Sequence, residues 1–319
     1  MIINTPQSLE DNKDKILNNE GKVIHQIWLD YGSGNPEPPE MFKEFRDSWV
    51  SYHPDYIHIH WNNEMALDIV KKYYPTFEKY FISYPNPVSR VDALKYLALN
   101  LYGGFYIDMD MKCIGKLDHL LGQTLLFEIP QGYHKILTSI LYRGYSNNQR
   151  RVTACNNSFL SASKPHHPFW KYVCEQLIGA AQSIFNKKTL LGVLSSAGPL
   201  FLESCFNSYA DTDVRVLTLD EFKAFAVDYE GRTWLCNTLK WEIFFLITIL
   251  LFVVLILTIT IHFNSLIGIG LIILFIAVIQ QLFPQYMLWI AFASLGFILI
   301  LIPIITSIVR KIRNKDLKK

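Results

Sequence analysis

The sequence predicts an α/β domain followed by C-terminal transmembrane helices. Three observations lead there. Up to about Lys240, short segments rich in β-branched and aromatic residues alternate with segments of helical period. Near the middle, a helical run ends in Gly103-Gly104, and an aromatic strand, Phe105-Tyr-Ile107, leads into Asp108-Met-Asp110. From Trp241 to Val309 charge is almost absent, so the segment is long enough to cross a bilayer more than once.

Taken in order, residues 1–20 are polar and form a helical or mobile lead-in. Lys22–Leu29 is the first strand, and the Gly- and Pro-rich Tyr31–Pro39 is a loop. Met41–Tyr52 is a helix with Phe42, Phe45, Trp49 and Val50 on one face. Tyr56–Trp61 is a strand whose His58 and His60 read as packing residues. Asn62–Tyr74 is a helix, and Pro75–Pro87 a loop or short helix. In the central run Val91, Leu94, Leu97, Ala98 and Leu101 recur at helical spacing, and the double glycine stops the helix. Asp108 and Asp110 follow the strand two residues apart, and extended residues i and i+2 face the same way. Two carboxylates that close need a cation between them, and all-oxygen ligation suits Mg²⁺ or Mn²⁺. Leu125–Ile129 is a strand, Phe169–Phe185 an amphipathic helix and Val214–Leu219 a late strand, and Pro199 suits a first helical turn.

The run Arg90-Val-Asp-Ala-Leu-Lys-Tyr96, the Tyr-Gly-Gly that follows, the Asp-Met-Asp, and the opening Ile24-His-Gln-Ile-Trp28 together resemble the glycosyltransferase family defined by a DXD sugar-binding motif. That family includes fungal mannosyl-inositol-phosphorylceramide synthases, yeast-type initiating mannosyltransferases and the glucosylating domains of large bacterial toxins; the lipid-mannosylating branch is nearest. Cys155–Ala162 resembles a strand of that family, and Ser196–Leu202 resembles one of its helix starts. The resemblance implies a single nucleotide-sugar-binding (GT-A-like) domain with a mixed central sheet over residues 21–238.

It also implies roles. Asp108 and Asp110 would be catalytic and bind the metal, Mn²⁺ or Mg²⁺, which neutralises the departing diphosphate. Asp228 stands where relatives often have histidine and would complete the metal shell. Donor-binding residues would be Trp28 against the base, Arg90, Asp92 and Lys95 at ribose and sugar, Asn156 and Asn157 at sugar hydroxyls, and Trp234 in a closing loop; Arg232 would neutralise diphosphate charge. Lys95 replaces an arginine common among relatives and so loses its flat fork. Read without the family, Trp28 is also compatible with a core position, and Asp92–Lys95 with a surface pair on a helix face.

The chain has 319 residues and a net charge of +2, which argues against nucleic acid as the main partner. Five cysteines at no metal-type spacing read as buried thiols and suit a reducing compartment. The apolar region 241–309 divides into two or three membrane helices at His262–Asn264 and Pro284–Gln285, with Trp241, Tyr286 and Trp289 near segment ends. The basic tail 310–319 is expected on the cytoplasmic side. Three spans would put the domain opposite; the absence of a signal segment in the polar N-terminus favours a cytoplasmic domain.

The expected activity is a metal-dependent, retaining transfer of a hexose from a nucleotide sugar, GDP-mannose or a UDP-hexose, to a hydroxyl. The acceptor expected is an inositol-phosphoceramide-like membrane lipid. A protein or glycan acceptor is the alternative within enzymes, and an inactive membrane-anchored sugar-binding protein the alternative outside them.

Overall fold

A computed structural model describes residues 1–30, 37–128, 155–182 and 190–229, all within the unit Met1–Thr238. Among these residues no helix is long and apolar enough to cross a membrane. The predicted spans at 241–309, the basic tail, Arg232 and Trp234 lie outside the described residues.

A seven-stranded sheet forms the centre. Its strands are β1 (Ile2–Ile3), β2 (Val23–Ile27), β3 (Ile57–Trp61), β4 (Gly104–Ile107), β6 (Thr124–Glu128), β7 (Cys155–Ala162) and β8 (Val214–Leu217). Their order is β1-β3-β2-β4-β7-β6-β8. Neighbours are parallel from β1 to β4 and between β6 and β8, whereas β7 runs antiparallel to both of its partners. A second, two-stranded sheet pairs β5 (Met111–Cys113) with β9 (Ala226–Asp228). The mixed α/β sheet expected from the sequence is the observed one.

Both faces of the large sheet are buried. Val23, Tyr106, Leu126 and Leu160 point into one core cluster, while their neighbours Ile24, Phe105, Leu125 and Phe159 point into the other. This is the two-residue alternation of a strand with helices on either side. On the first face lie α4 (Asn63–Tyr73), α5 (Glu78–Ser83), α6 (Pro87–Tyr102), α7 (Pro168–Ala181) and α9 (Pro199–Ser208), each contributing buried residues to that cluster. On the second lie α3 (Glu40–Tyr52), the β5–β9 pair and α10 (Leu219–Lys223). The remaining helices are α1 (Pro6–Asp11) and α2 (Lys13–Leu17) near the start of the chain, and α8 (Leu190–Ser196) before α9.

The N-terminal residues carry helices α1 and α2, as the helical reading of the lead-in has it, and an edge strand besides. Ile2–Ile3 add a parallel edge strand to β3, and Ile3, Leu9 and Ile16 are buried in the first core cluster. Three apolar side chains spaced along a polar stretch are too few to read as an element, yet enough to dock it.

Helix α6 passes through the first core. Apart from Arg90 it is buried from Val88 to Tyr102. Asn86 caps its start through Oδ1, which accepts the Val88 N–H at 3.1 Å, and Pro87 occupies the first turn, where its missing N–H costs nothing. At its other end Gly103 and Gly104 adopt φ of +68° and +81°, a region open to glycine and strained for other residues. A Cβ on Gly104 would stand 2.4 Å from the Val23 carbonyl oxygen. The pair thus lets β4 turn out of α6 and lie against β2 without a gap.

His25 locks that corner. Its Nε2–H donates to the Gly103 carbonyl at 2.8 Å, and its Nδ1 accepts the Trp61 indole N–H at 3.1 Å. Burial holds the ring neutral by lowering its pKa to about 4. The structural role expected for His25 is the one seen.

A candidate donor site at the carboxyl ends of β2 and β4

The chain leaves β2 toward β3 on one side and returns to β4 on the other. Where successive connections part in opposite directions, a crevice opens beyond the carboxyl ends of the strands. Trp28 directly follows β2, and Asp108 directly follows β4. Both line a cleft of about 200 Å³, together with Asp92, Lys95, Asp110, Asn156 and Asn157. Seven of the predicted site residues, distant in sequence, therefore converge.

Asp108 and Asp110 reach the cleft by a different route from the one expected. β4 ends at Ile107, and the two aspartates lie in a turn whose Met111 N–H donates to the Asp108 carbonyl at 3.3 Å. Strand alternation does not apply to a turn; the turn itself brings both residues to one wall. The Asp108 N–H is anchored to the Ser158 carbonyl at 2.9 Å.

Asp92 and Lys95 are not a surface pair. They are 4% and 3% exposed, and the Lys95 Nζ lies 2.9 Å from Asp92 Oδ1 and 3.1 Å from Asp108 Oδ1. The same ammonium donates to the Asn157 carbonyl at 3.3 Å and sits 4.8 Å from the centre of the Tyr106 ring. Burial works to lower the pKa of Lys95, but the charges of Asp108 and Asp92 outweigh it and hold the group protonated. Burial raises the pKa of Asp92, with Lys95 opposing it.

The hydrogen bonds on the floor follow one pattern. The Asn157 amide donates to Asp92 Oδ1 at 2.9 Å and to the Tyr96 hydroxyl at 3.2 Å. Tyr96 in turn donates to the Ala197 carbonyl at 2.8 Å, tying the floor to the α8–α9 junction. The Tyr106 hydroxyl donates to Asp108 Oδ1. Donors of Lys95, Asn157 and Tyr106 are thus spent on Oδ1 of Asp92 and Asp108, on the Asn157 carbonyl and on the Tyr96 hydroxyl. Among the described residues the second oxygen of each carboxylate and Oδ1 of Asn157 accept no hydrogen bond, and all three residues line the cleft. Asn156 Oδ1 accepts the Ser158 N–H at 3.1 Å, which fixes its amide at the cleft edge.

Two predicted residues are placed elsewhere. Arg90 projects from the opposite side of α6 and donates to the carbonyls of Ile82 and Tyr84 at 3.0 and 3.2 Å, so it does not line the cleft. Asp228 pairs in register with Met111, and the next residue, Tyr229, donates its N–H to the Asp110 carbonyl at 3.0 Å. That sets β9 beside the turn without bringing Asp228 into the cleft lining. Trp28 is half-buried, edge-on to Phe42 at 6.0 Å.

Several lining residues were not singled out from the sequence. Val88, Val91, Asp92 and Lys95 all line the cleft and fall at i, i+3, i+4 and i+7, so helical period alone could have found the two valines. Val193, Leu194 and Pro199 also line the cleft; Pro199 belongs to the helix start expected at Ser196–Leu202, whereas no local signal marks Val193 and Leu194.

A divalent cation fits this chemistry. Asp108 and Asp110 both line the cleft and would supply hard oxygen ligands. Among the described residues no three acidic, histidine or cysteine side chains gather as a ligand set. Mg²⁺-type ions are commonly held in this way, by one or two carboxylates with substrate phosphates and water completing the shell.

Comparison with known proteins agrees with the motif. Residues 39–127 match the family described as glycosyltransferase sugar-binding region containing DXD motif. The match includes Asp92, Lys95, Asp108 and Asp110; Trp28, Asn156, Asn157 and Asp228 lie outside it. The chain is 30% identical over 226 residues to inositol phosphoceramide mannosyltransferase 2 of Schizosaccharomyces pombe, covering 67% of this chain and 57% of that protein. It is 35% identical over 223 residues to mannosyl phosphorylinositol ceramide synthase SUR1 of Saccharomyces cerevisiae, covering 67% and 51%. The chain thus spans about half the length of the curated relatives it matches. A solved structure titled PaToxG glycosyltransferase overlays with a TM-score of 0.41 at 16% identity, covering 63% of this chain and 77% of that one.

Proposed function

Starting from residues 39–127 as a DXD-containing sugar-binding region, we propose that this chain transfers a hexose from a nucleotide sugar to a hydroxyl of a membrane lipid. The observation that carries the reading is the set of carboxylate and amide oxygens gathered in the cleft. Sugar and ribose hydroxyls are hydrogen-bond donors, and a divalent cation takes oxygen ligands; both complement a surface that presents Asp92, Asp108 and Asn157 oxygens beside Asp110. A free phosphate, which needs donors, does not complement it.

In this reading Asp92 and Asn157 orient the sugar and ribose, Trp28 packs on the base, and Asn156 meets a hydroxyl at the cleft edge. Asp108 and Asp110 would hold Mn²⁺ or Mg²⁺, which would supply positive charge against the negative charge that develops on the departing diphosphate. Arg232 and Trp234, outside the described residues, belong to the same proposal as residues that would contact the donor. The names of the two fungal relatives support mannose as the sugar and an inositol-phosphoceramide-like lipid as the acceptor. The apolar residues 241–309 would anchor the enzyme in that acceptor's membrane, with the basic tail cytoplasmic.

The test incubates the full chain in lipid nanodiscs with GDP-mannose, UDP-glucose, UDP-GlcNAc or UDP-galactose, Mn²⁺, and inositol phosphoceramide. The expected outcome is a mannosylated lipid formed from GDP-mannose alone. A UDP-sugar consumed instead would change the donor. No turnover and no calorimetric binding of any donor would defeat the enzyme reading.

A further inference from the structure

An ammonium group has three N–H bonds and no more. At Lys95 three oxygens converge on them: Asp92 Oδ1 at 2.9 Å, Asp108 Oδ1 at 3.1 Å and the Asn157 carbonyl at 3.3 Å. The Tyr106 ring lies at 4.8 Å from the nitrogen, and the residue is 3% exposed. Nothing remains for a ligand unless one of these bonds breaks.

We propose that Lys95 is a positioning residue, an internal counter-cation that fixes Asp92 and Asp108 with one oxygen of each turned to the cleft, and that it makes no direct contact with the donor. This reassigns the donor-binding role expected from the sequence, and it rests on the reading of the cleft as a donor site. The ammonium joins three elements: α6, which carries Asp92 and Lys95, the turn after β4, which carries Asp108, and β7, which carries Asn157. It supplies the charge that lets two carboxylates share a buried wall. The residue type matters. Three acceptors that meet at one point suit a compact ammonium, whereas a planar guanidinium spreads its donors along a fork.

A double-mutant cycle separates positioning from contact. Donor affinity is measured by calorimetry with Mn²⁺ on the full chain, for wild type, Lys95→Met, Asp108→Asn and the double variant. A residue that acts through Asp92 and Asp108 loses part of its effect once Asp108 is neutral. Lys95→Met is therefore expected to weaken donor binding by about tenfold or more in the wild-type background and by clearly less beside Asp108→Asn, where only Asp92 is left to be held. The same fold loss in both backgrounds would overturn the proposal, because it would mean a direct contact. Lys95→Arg gives a second reading. Positioning predicts that arginine weakens binding much as methionine does, whereas a direct phosphate or hydroxyl contact predicts that it retains affinity. Thermal unfolding and near-ultraviolet circular dichroism check that each variant folds. Should Lys95→Met fail to fold, the cycle is run in Asp92→Asn, which removes one of the two carboxylates left uncompensated. A wild type that binds no nucleotide sugar defeats the donor-site reading itself. A wild type that binds, with equal losses in the two backgrounds, defeats only the role given to Lys95.

Discussion

The two ends of the α6–β4 unit carry two buried polar clusters that differ in how they are closed. At the far end His25, Trp61 and Gly103 form a neutral chain: His25 donates from one ring nitrogen, accepts at the other, and is sealed from solvent. At the cleft end Lys95, Asp92, Asp108 and Asn157 form a charged cluster in which every donor is engaged, while among the described residues the second oxygen of each carboxylate accepts no hydrogen bond. A closed network stabilises, because a buried group left unpaired is costly. An open one keeps unused hydrogen-bonding capacity for a ligand. Closure, rather than polarity or burial, separates the structural cluster from the functional one.

The comparison breaks most sharply at Gly104. A methyl group there would meet the Val23 carbonyl at 2.4 Å on a backbone with φ of +81°. Gly104→Ala should cost more than about 4 kcal/mol and leave little folded protein, as read by circular dichroism and chemical denaturation. A variant that folds with wild-type stability would show that β2 and β4 are less tightly joined than the closed corner implies.

Asp110→Ala at the open end should behave in the opposite way. Donor turnover should fall by about 10²-fold or more, while the melting temperature stays within a degree or two of wild type. Equal loss of activity and stability would remove the distinction between the two clusters.

Arg90 sharpens the point within one helix. It lies two residues before Asp92, faces away from the cleft, and holds the carbonyls of Ile82 and Tyr84. Arg90→Ala should cost about 1–3 kcal/mol of stability with unchanged donor affinity in calorimetry. A selective loss of affinity would restore the donor-binding role that the sequence suggested.

The smallest effect concerns pH. Burial lowers His25 and His58 to about 4 and His60 to about 3. For a base whose folded pKa is depressed, the stability is present above the unfolded value near 6.5 and is lost as pH falls from there toward the folded values. Glu203 is buried in α9, and burial raises its pKa to about 7. For an acid the sign reverses: the folded state holds the proton more tightly, so stability is lost as pH rises from about 4.5 to 7. Glu203→Gln should therefore match wild type near pH 4.5 and exceed it by about 2 kcal/mol above pH 7, measured by urea unfolding across that range. A gain that is greatest at acid pH would refute the assignment.

Much of the fold was legible because it is written locally. The α6 run, its glycine stop, β4 and the Asp108–Asp110 pair are contiguous, and period and turn chemistry act over a few residues. The alternating burial of β2 and β4 was less visible, since strands covered on both faces read as plain apolar runs. β5 and β9 are three residues each and too short to carry a period, so the strand beside Asp110 was not foreseen.

The sequence by itself determined the kinds of chemistry available: two neighbouring carboxylates, an acidic and a basic residue one helical turn apart, adjacent asparagines, and an apolar segment suited to a membrane. Only the tertiary structure decided which atoms are free to act. Residue spacing fixes which side chains share a helix face, but whether an N–H is already spent depends on oxygens that distant segments deliver. Asn157 lies 62 residues from Lys95 and takes one of its donors, and β4 brings Asp108 to take another. A lysine that looked available for a ligand is, for that reason, committed to the protein.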